Sequence, residues 1–356
     1  MDYYWQSARG QYEILDRAQP LDVAIATTGD GRLKQRLELA QRIREFASRS
    51  LGLPDNGSYR RYSDLKRAFV IWNVFAAPRL SLAPHAWCYP VAGCVNYRGY
   101  FSEQEARSEA AALAAAGDDV YIGGVPAYST LGWFEDPILS TFVRYPQTEF
   151  ARLIFHELAH QALYVKGDTV FNESYATALS DAGLDRWIAA QPPAQQALLQ
   201  AERARNERLR GAFERLVADA RVQLAALYAS DTSAAAKQQR KDAIFASMRA
   251  QYQDIKRGEP GLAGFDRWFD GYDHAGPNNA SIASIALYTQ RVPAFRALIA
   301  DVKGDLPAFY VRLRALAALD KPAREAALDA LAAPSDVVHR AAMRCVGVHC
   351  NRDDTY

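Results

Sequence analysis

The sequence predicts a predominantly helical α+β fold: a small β-sheet beside a helix carrying a His-Glu-x-x-His pattern, plus a long antiparallel helical hairpin. Three observations predict it. Segments rich in β-branched and aromatic residues are confined to residues 67–129. After Pro146 the pattern is almost wholly helical. From Pro192 to Ser230, apolar residues recur at Leu209, Phe213, Leu216, Ala220, Leu224 and Leu227, in the steps of three and four that make a packed helical seam.

Each element has its own signal. Residues 1–60 read as helical. Lys34–Leu51 is the clearest piece, with Leu39, Ile43, Phe46 and Ala47 near one stripe and Gly52-Leu53-Pro54 as the stop. Arg67–Ala76 (RAFVIWNVFA), Val91–Phe101 and Asp119–Ser129 (DVYIGGVPAYS) are the expected strands. The alanine-rich Ser102–Ala116 between the last two is an expected helix. In the hairpin, a polar turn at Ser230–Ser233 leads into a return helix over Ala234–Arg257, with Ile244, Met248 and Ile255 on one stripe. The last 70 residues or so are helical again.

Composition narrows the function classes. The 356 residues are 49% hydrophobic and 23% charged, an ordinary globular balance. Lys and Arg number 42 and Asp and Glu 41, a formal +1, which speaks against nucleic acid as a partner, because such binding needs a large positive field. The most apolar stretch, Ala68–Ala77, is ten residues long and interrupted by Asn73, half of what a spanning helix needs. Four cysteines fall in two close pairs, Cys88 with Cys94 and Cys345 with Cys350. Local pairing suits an oxidising compartment; the alternative is four buried thiols. Neither pair has zinc-type C-x2-C spacing.

The chemistry sits in residues 153–165, LIFHELAHQALYV. On a helix, His156 and His160 lie on one face four positions apart, so both imidazoles reach one ion. Glu157 is one residue round, placed to take a proton from water. A catalytic zinc wants three protein ligands and an open position. Glu173, thirteen residues after His160, is the expected third ligand. It lies in NESYA, at the start of a short helix expected to end at Gly183, with Gly167 and Asp168 as the turn. Zn2+ is the expected cofactor. Thr177 and Asp181, one and two turns beyond Glu173, are the expected supports for the imidazoles.

HELAH followed by NESYA resembles the gluzincin metallopeptidases, the clan of thermolysin and the zinc aminopeptidases. Three stretches together resemble more closely a bacterial family of predicted zinc aminopeptidases, many of them lipoproteins. These are WCYPVAGCVNYRGYF (87–101), GGVPAYSTLGWFEDPIL (123–139), and LIFHELAHQ with FNESYAT (153–161 and 171–177). The N-terminal YYWQSARGQ is similar to that family just after its lipidated cysteine. The resemblance spans most of the chain. It implies a thermolysin-like catalytic core, a peptide substrate, and a periplasmic enzyme whose membrane contact is a lipid anchor absent from this chain. One departure is the gap from His160 to Glu173, shorter than in thermolysin-like enzymes, which demands a tighter turn.

The resemblance also implies that the substrate backbone lies along a strand edge before the zinc helix, where Gly123–Ser129 falls. Gly124, Ala127 and Tyr128 are then substrate-side residues, unless the strand is internal. Tyr288, then His274 and Tyr128, are the expected oxyanion donors, Tyr288 being equally readable as a packed core residue. Asn278 and Asn279 would bind substrate amides or cap their helix. Glu135, with Asp136 next to it, would hold a free α-amine or simply form a turn. The expected organisation is 1–190 (N-terminal helices, small sheet and zinc-binding helices), 191–258 (hairpin) and 259–356 (a helical part completing the active-site cleft). The expected activity is zinc aminopeptidase, with two alternatives: a zinc endopeptidase on extended peptides, and a non-catalytic periplasmic binding lipoprotein that uses the hairpin. Oligomeric state has no sequence signal.

Overall fold

The computed structural model describes residues 2–89, 93–127, 129–289 and 291–332. The architecture is predominantly helical α+β with small sheets. Two compact units divide the chain, Met1–Val292 and the part from Pro293 onward. The second unit carries the helices Leu306–Ala317 and Lys321–Ala332, with Leu306, Phe309, Leu313 and Leu328 buried. Among the described residues, no helix is long and apolar enough to cross a membrane.

In the first unit, three helices (Asp2–Asp16, Leu21–Thr27, Gly31–Leu51) precede the sheets. Asp30 caps the third by accepting from the N–H groups of Arg32 and Leu33. Gly52, in left-handed conformation at φ +67°, ends it. The main sheet is antiparallel, with Ile71–Pro78 in the centre between Arg98–Tyr100 and Asp118–Val125. Asp118–Val125 is therefore an outer strand of this sheet. Gly124 lies under the ring of Phe69, 2.4 Å from where a Cβ would stand, so the glycine makes room for an aromatic side chain of its own chain.

The expected strand Val91–Phe101 is split. A two-stranded ribbon, Trp87–Tyr89 with Gly93–Val95, puts Cys88 opposite Cys94, joined by a disulfide. Arg98–Tyr100 then enters the main sheet. The crosslink holds the ribbon turned on itself, so the segment cannot run on as one strand. Val91 itself, Cys345 and Cys350 lie outside the described residues.

The hairpin packs across the body of this unit. Its arms, Pro193–Ala229 and Ala234–Gly258, bury Phe213, Leu216, Leu224, Met248 and Tyr252 in one cluster, against which Tyr121 of the outer strand packs. Lys241 seals the junction: its ammonium bonds Asp119 at 2.6 Å and the Arg79 carbonyl at 2.9 Å. Lys241 is buried and Asp119 nearly so, so losing the carboxylate would strand a buried ammonium. The long first arm also supplies what the helix with the His-Glu-x-x-His pattern lacks. Gln147–Ala162 starts after Pro146 with no cap of its own, and the Glu202 carboxylate accepts from Thr148 N at 2.8 Å and Oγ1 at 2.6 Å.

Candidate metal centre

The helix Gln147–Ala162 buries Phe150, Ile154, Phe155 and Leu158, the apolar stripe that fixes its rotation. That rotation turns His156 and His160 toward the returning helix Thr169–Ala189. The tight connection is clamped by the residues flanking Glu173. Asn172 makes a reciprocal pair with Val165, donating to its carbonyl and accepting from its N–H, both at 2.8 Å. The Tyr175 hydroxyl donates to the Ala159 and Leu163 carbonyls, which satisfies acceptors at the end of the metal helix. Asp168 caps the returning helix through Phe171 N at 3.1 Å. Gly167, at φ +76°, takes the left-handed turn.

The returning helix does not end at Gly183. It runs 21 residues to Ala189, and Gly183 is buried inside it, where a Cβ would stand 2.7 Å from Leu51 and 3.1 Å from Phe155. The glycine is a close-packing contact between helices, not a stop.

Three atoms converge. His156 Nε2 is 3.2 Å from Glu173 Oε2, His160 Nε2 is 3.1 Å from His156 Nε2, and His160 Nε2 is 3.6 Å from Glu173 Oε1. His156, His160 and Glu173 thus form a possible metal-binding group. A tetrahedral ion about 2.0–2.2 Å from each ligand would space the ligands by about 3.3–3.6 Å, so the donor set comes within about 0.2 Å of what one cation needs.

The electrostatics agree. Burial alone would push the Glu173 carboxyl up, but the two imidazoles hold it well below the usual carboxylate range. Burial and its neighbour His160 depress His156, against the pull of Glu173. His160 is also desolvated, yet Glu173 and Glu157 raise it. Glu157 is 9% exposed and makes no hydrogen bond or ion pair among the described residues. Burial pushes its carboxyl up to about 7, opposed by His160 and aided by Glu173 and Asp136. It stands ready to accept a proton near neutrality.

A family model described as "Putative aminopeptidase" matches residues 2–328 of the chain. The chain belongs to that family. No curated protein matches it, and no solved structure does. Membership makes the chain a peptidase with a peptide as substrate.

Around His156, His160 and Glu173 the other expected residues are distributed as follows. Thr177 and Asp181 follow Glu173 along the returning helix, and neither bonds to an imidazole; His160 Nδ1 is buried without a partner among the described residues. His274 is exposed in the turn Tyr272–His274, next to Asp273, which pairs with Arg107. Asn278 and Asn279 are occupied: Asn278 donates to the Val120 carbonyl at 2.9 Å, and Asn279 to those of Pro78 and Arg79 while accepting from the Tyr228 hydroxyl at 2.8 Å. They tie the helix Asn279–Thr289 to the end of the sheet. Ala127 is buried, and Glu135 is exposed with its carboxylate over Gly57. Tyr128 lies outside the described residues, as does the side chain of Tyr288.

Asp136, beside Glu135, is 4% exposed. Its Oδ2 accepts from Thr130 N at 3.0 Å and Gln161 Nε2 at 3.1 Å, and no cation pairs with it among the described residues. Burial pushes its carboxyl up to about 6 despite these bonds. Gln161 follows His160 and shares a helix face with Glu157, four positions back. Gln161 also donates to Ser58 Oγ at 3.1 Å, and Ser58 Oγ accepts from Asp136 N at 3.2 Å. Ser58, Asp136 and Gln161 form a polar network that sequence spacing did not single out as a unit.

Proposed function

We propose that the chain is a zinc aminopeptidase, with His156, His160 and Glu173 as metal ligands and Glu157 as general base. The observation that carries this reading is the convergence of the three ligand atoms next to a buried, unpartnered Glu157. Two imidazoles and a carboxylate are a catalytic zinc donor set with one position left open. Bound there, zinc would polarise the scissile carbonyl and acidify water. Glu157 takes the proton from the attacking water and passes it to the leaving amine. Asp136 supplies the counter-charge that a free α-amine requires, which favours an aminopeptidase over an endopeptidase. The Cys88–Cys94 bond supports an oxidising compartment such as the periplasm, since such bonds persist there.

The test is Glu157→Gln, assayed for zinc content and for hydrolysis of aminoacyl reporters. Zinc should stay and turnover should fall by about 10^2–10^4-fold. Unchanged turnover would refute the role of Glu157, and a protein without zinc would refute the metal.

A further inference from the structure

A cavity of about 680 Å³ lies among the helices Leu21–Thr27, Gly31–Leu51 and Thr169–Ala189, and no residue of the metal centre lines it. Its size suits a small organic ligand. Arg42, Arg44, Arg49 and Arg60 line it against Asp22 and Glu45, and with Asp55 paired to Arg60 the excess is one positive charge. Arg49 is paired with Glu45 at 2.5 Å and Arg60 with Asp55 at 2.6 Å. Arg42 is exposed and makes no hydrogen bond or ion pair among the described residues.

Arg44 is the unusual member, because its side chain is 1% exposed. Its N–H groups go to the carbonyls of Ser58 (2.7 Å), Pro54 (2.8 Å) and Asn56 (3.0 Å) and to Ser48 Oγ (2.5 Å). The carboxylate paired with it, Asp55, is 3.9 Å away on a side chain that is 71% exposed. A full buried charge is therefore met mostly by neutral dipoles, which is costly. Nη1 carries two hydrogens and has one acceptor. The second unused donor is Trp187. It is 4% exposed, its Nε1 is buried without a partner, and its ring stands edge-on to Phe46 at 5.2 Å.

Aromatic walls, spare donors and an excess of positive charge call for a ligand with an anionic acceptor on an apolar body. We propose that this cavity binds an α-carboxylate attached to an apolar side chain, as a free or N-acylated amino acid carries. A singly charged group fits better than a phosphate, because Asp22 and Glu45 would repel a second negative charge.

N-acetyl-L-phenylalanine is the probe, since it has no free amine. The readout is the indole N–H resonance of Trp187 among the six tryptophans of the 15N-labelled full chain, assigned with Trp187→Phe. The expected result is a saturable shift of that resonance, with the same affinity before and after chelator treatment. Arg42→Ala should weaken binding about tenfold, as loss of one charge-assisted contact does. Trp187→Phe, followed by calorimetry, should weaken it about fivefold. The uncharged N-acetyl-L-phenylalaninamide should leave the resonance in place. An unmoved Trp187 resonance, an equal response to the amide, or wild-type affinity in Arg42→Ala would overturn the proposal. A response lost on metal removal would assign the binding to the metal centre and overturn it as well.

Discussion

Asparagine at position 136 separates what a buried carboxylate does for function from what it costs in stability. Burial lifts the Asp136 carboxyl from 3.8 to about 6, so the folded protein holds this proton more tightly than the unfolded chain does. The stability tied to the group is therefore complete below pH 3.8 and is lost as pH rises through about 6. A shift of about two units, at 1.36 kcal/mol each, amounts to about 3 kcal/mol at pH 8. Near pH 4.5 about 1 kcal/mol of it has been lost, because the unfolded chain has largely ionised there. Asparagine is free of this cost. Its amide oxygen keeps the acceptor that Thr130 N and Gln161 Nε2 share, but it sets a buried NH2 group where the carboxylate's other oxygen was. That mismatch costs about 1 kcal/mol at every pH. Asp136→Asn should thus match the parent near pH 4.5 and exceed it by about 2 kcal/mol at pH 8. Urea unfolding of the chelator-treated protein, followed by tryptophan fluorescence, measures both. A pH-independent difference would refute the reasoning. If the same variant loses cleavage of free-amine reporters while gaining stability, the carboxylate is retained for function at the expense of the fold.

Three further outcomes follow from the same geometry. Glu173→Ala should bind zinc far more weakly than the parent, read by titration against a competing chelator, because two imidazoles alone leave the donor set incomplete; unchanged affinity would remove Glu173 from the set. Tyr175→Phe deletes the hydroxyl that bonds the Ala159 and Leu163 carbonyls and should destabilise the protein by about 1 kcal/mol in the same denaturation assay, because the Leu163 carbonyl loses this bond while the Ala159 carbonyl keeps the Leu163 N–H. Replacing Cys88 and Cys94 with serine opens a loop of sequence separation 6 and should cost about 2 kcal/mol, measured against the parent without reductant.

What was legible in the sequence was whatever a local period or a single motif encodes. The hairpin was legible because its apolar seam recurs over many turns, and the arms Pro193–Ala229 and Ala234–Gly258 match the expected ranges within a residue or so. His156 and His160 were legible because a helix puts positions four apart on one face. The long-range contacts were not. Gly183 reads as a stop in one dimension, but in three it is the gap into which Leu51 and Phe155 press. The N-terminal cap of the metal helix comes from Glu202, 54 residues from Thr148, and no local pattern announces a cap given by another helix.

Asp136 shows the same limit at the site itself. As a sequence, Glu135-Asp136 offers two equivalent acids in a turn. The fold makes them opposites: Glu135 stays in solvent, while Asp136 is drawn beneath the loop by Ser58 and Gln161. Gln161 links the two regions, because one helix carries it and His160 together. A buried carboxylate without a cation is costly to fold, and the counter-charge role proposed for Asp136 would account for that cost.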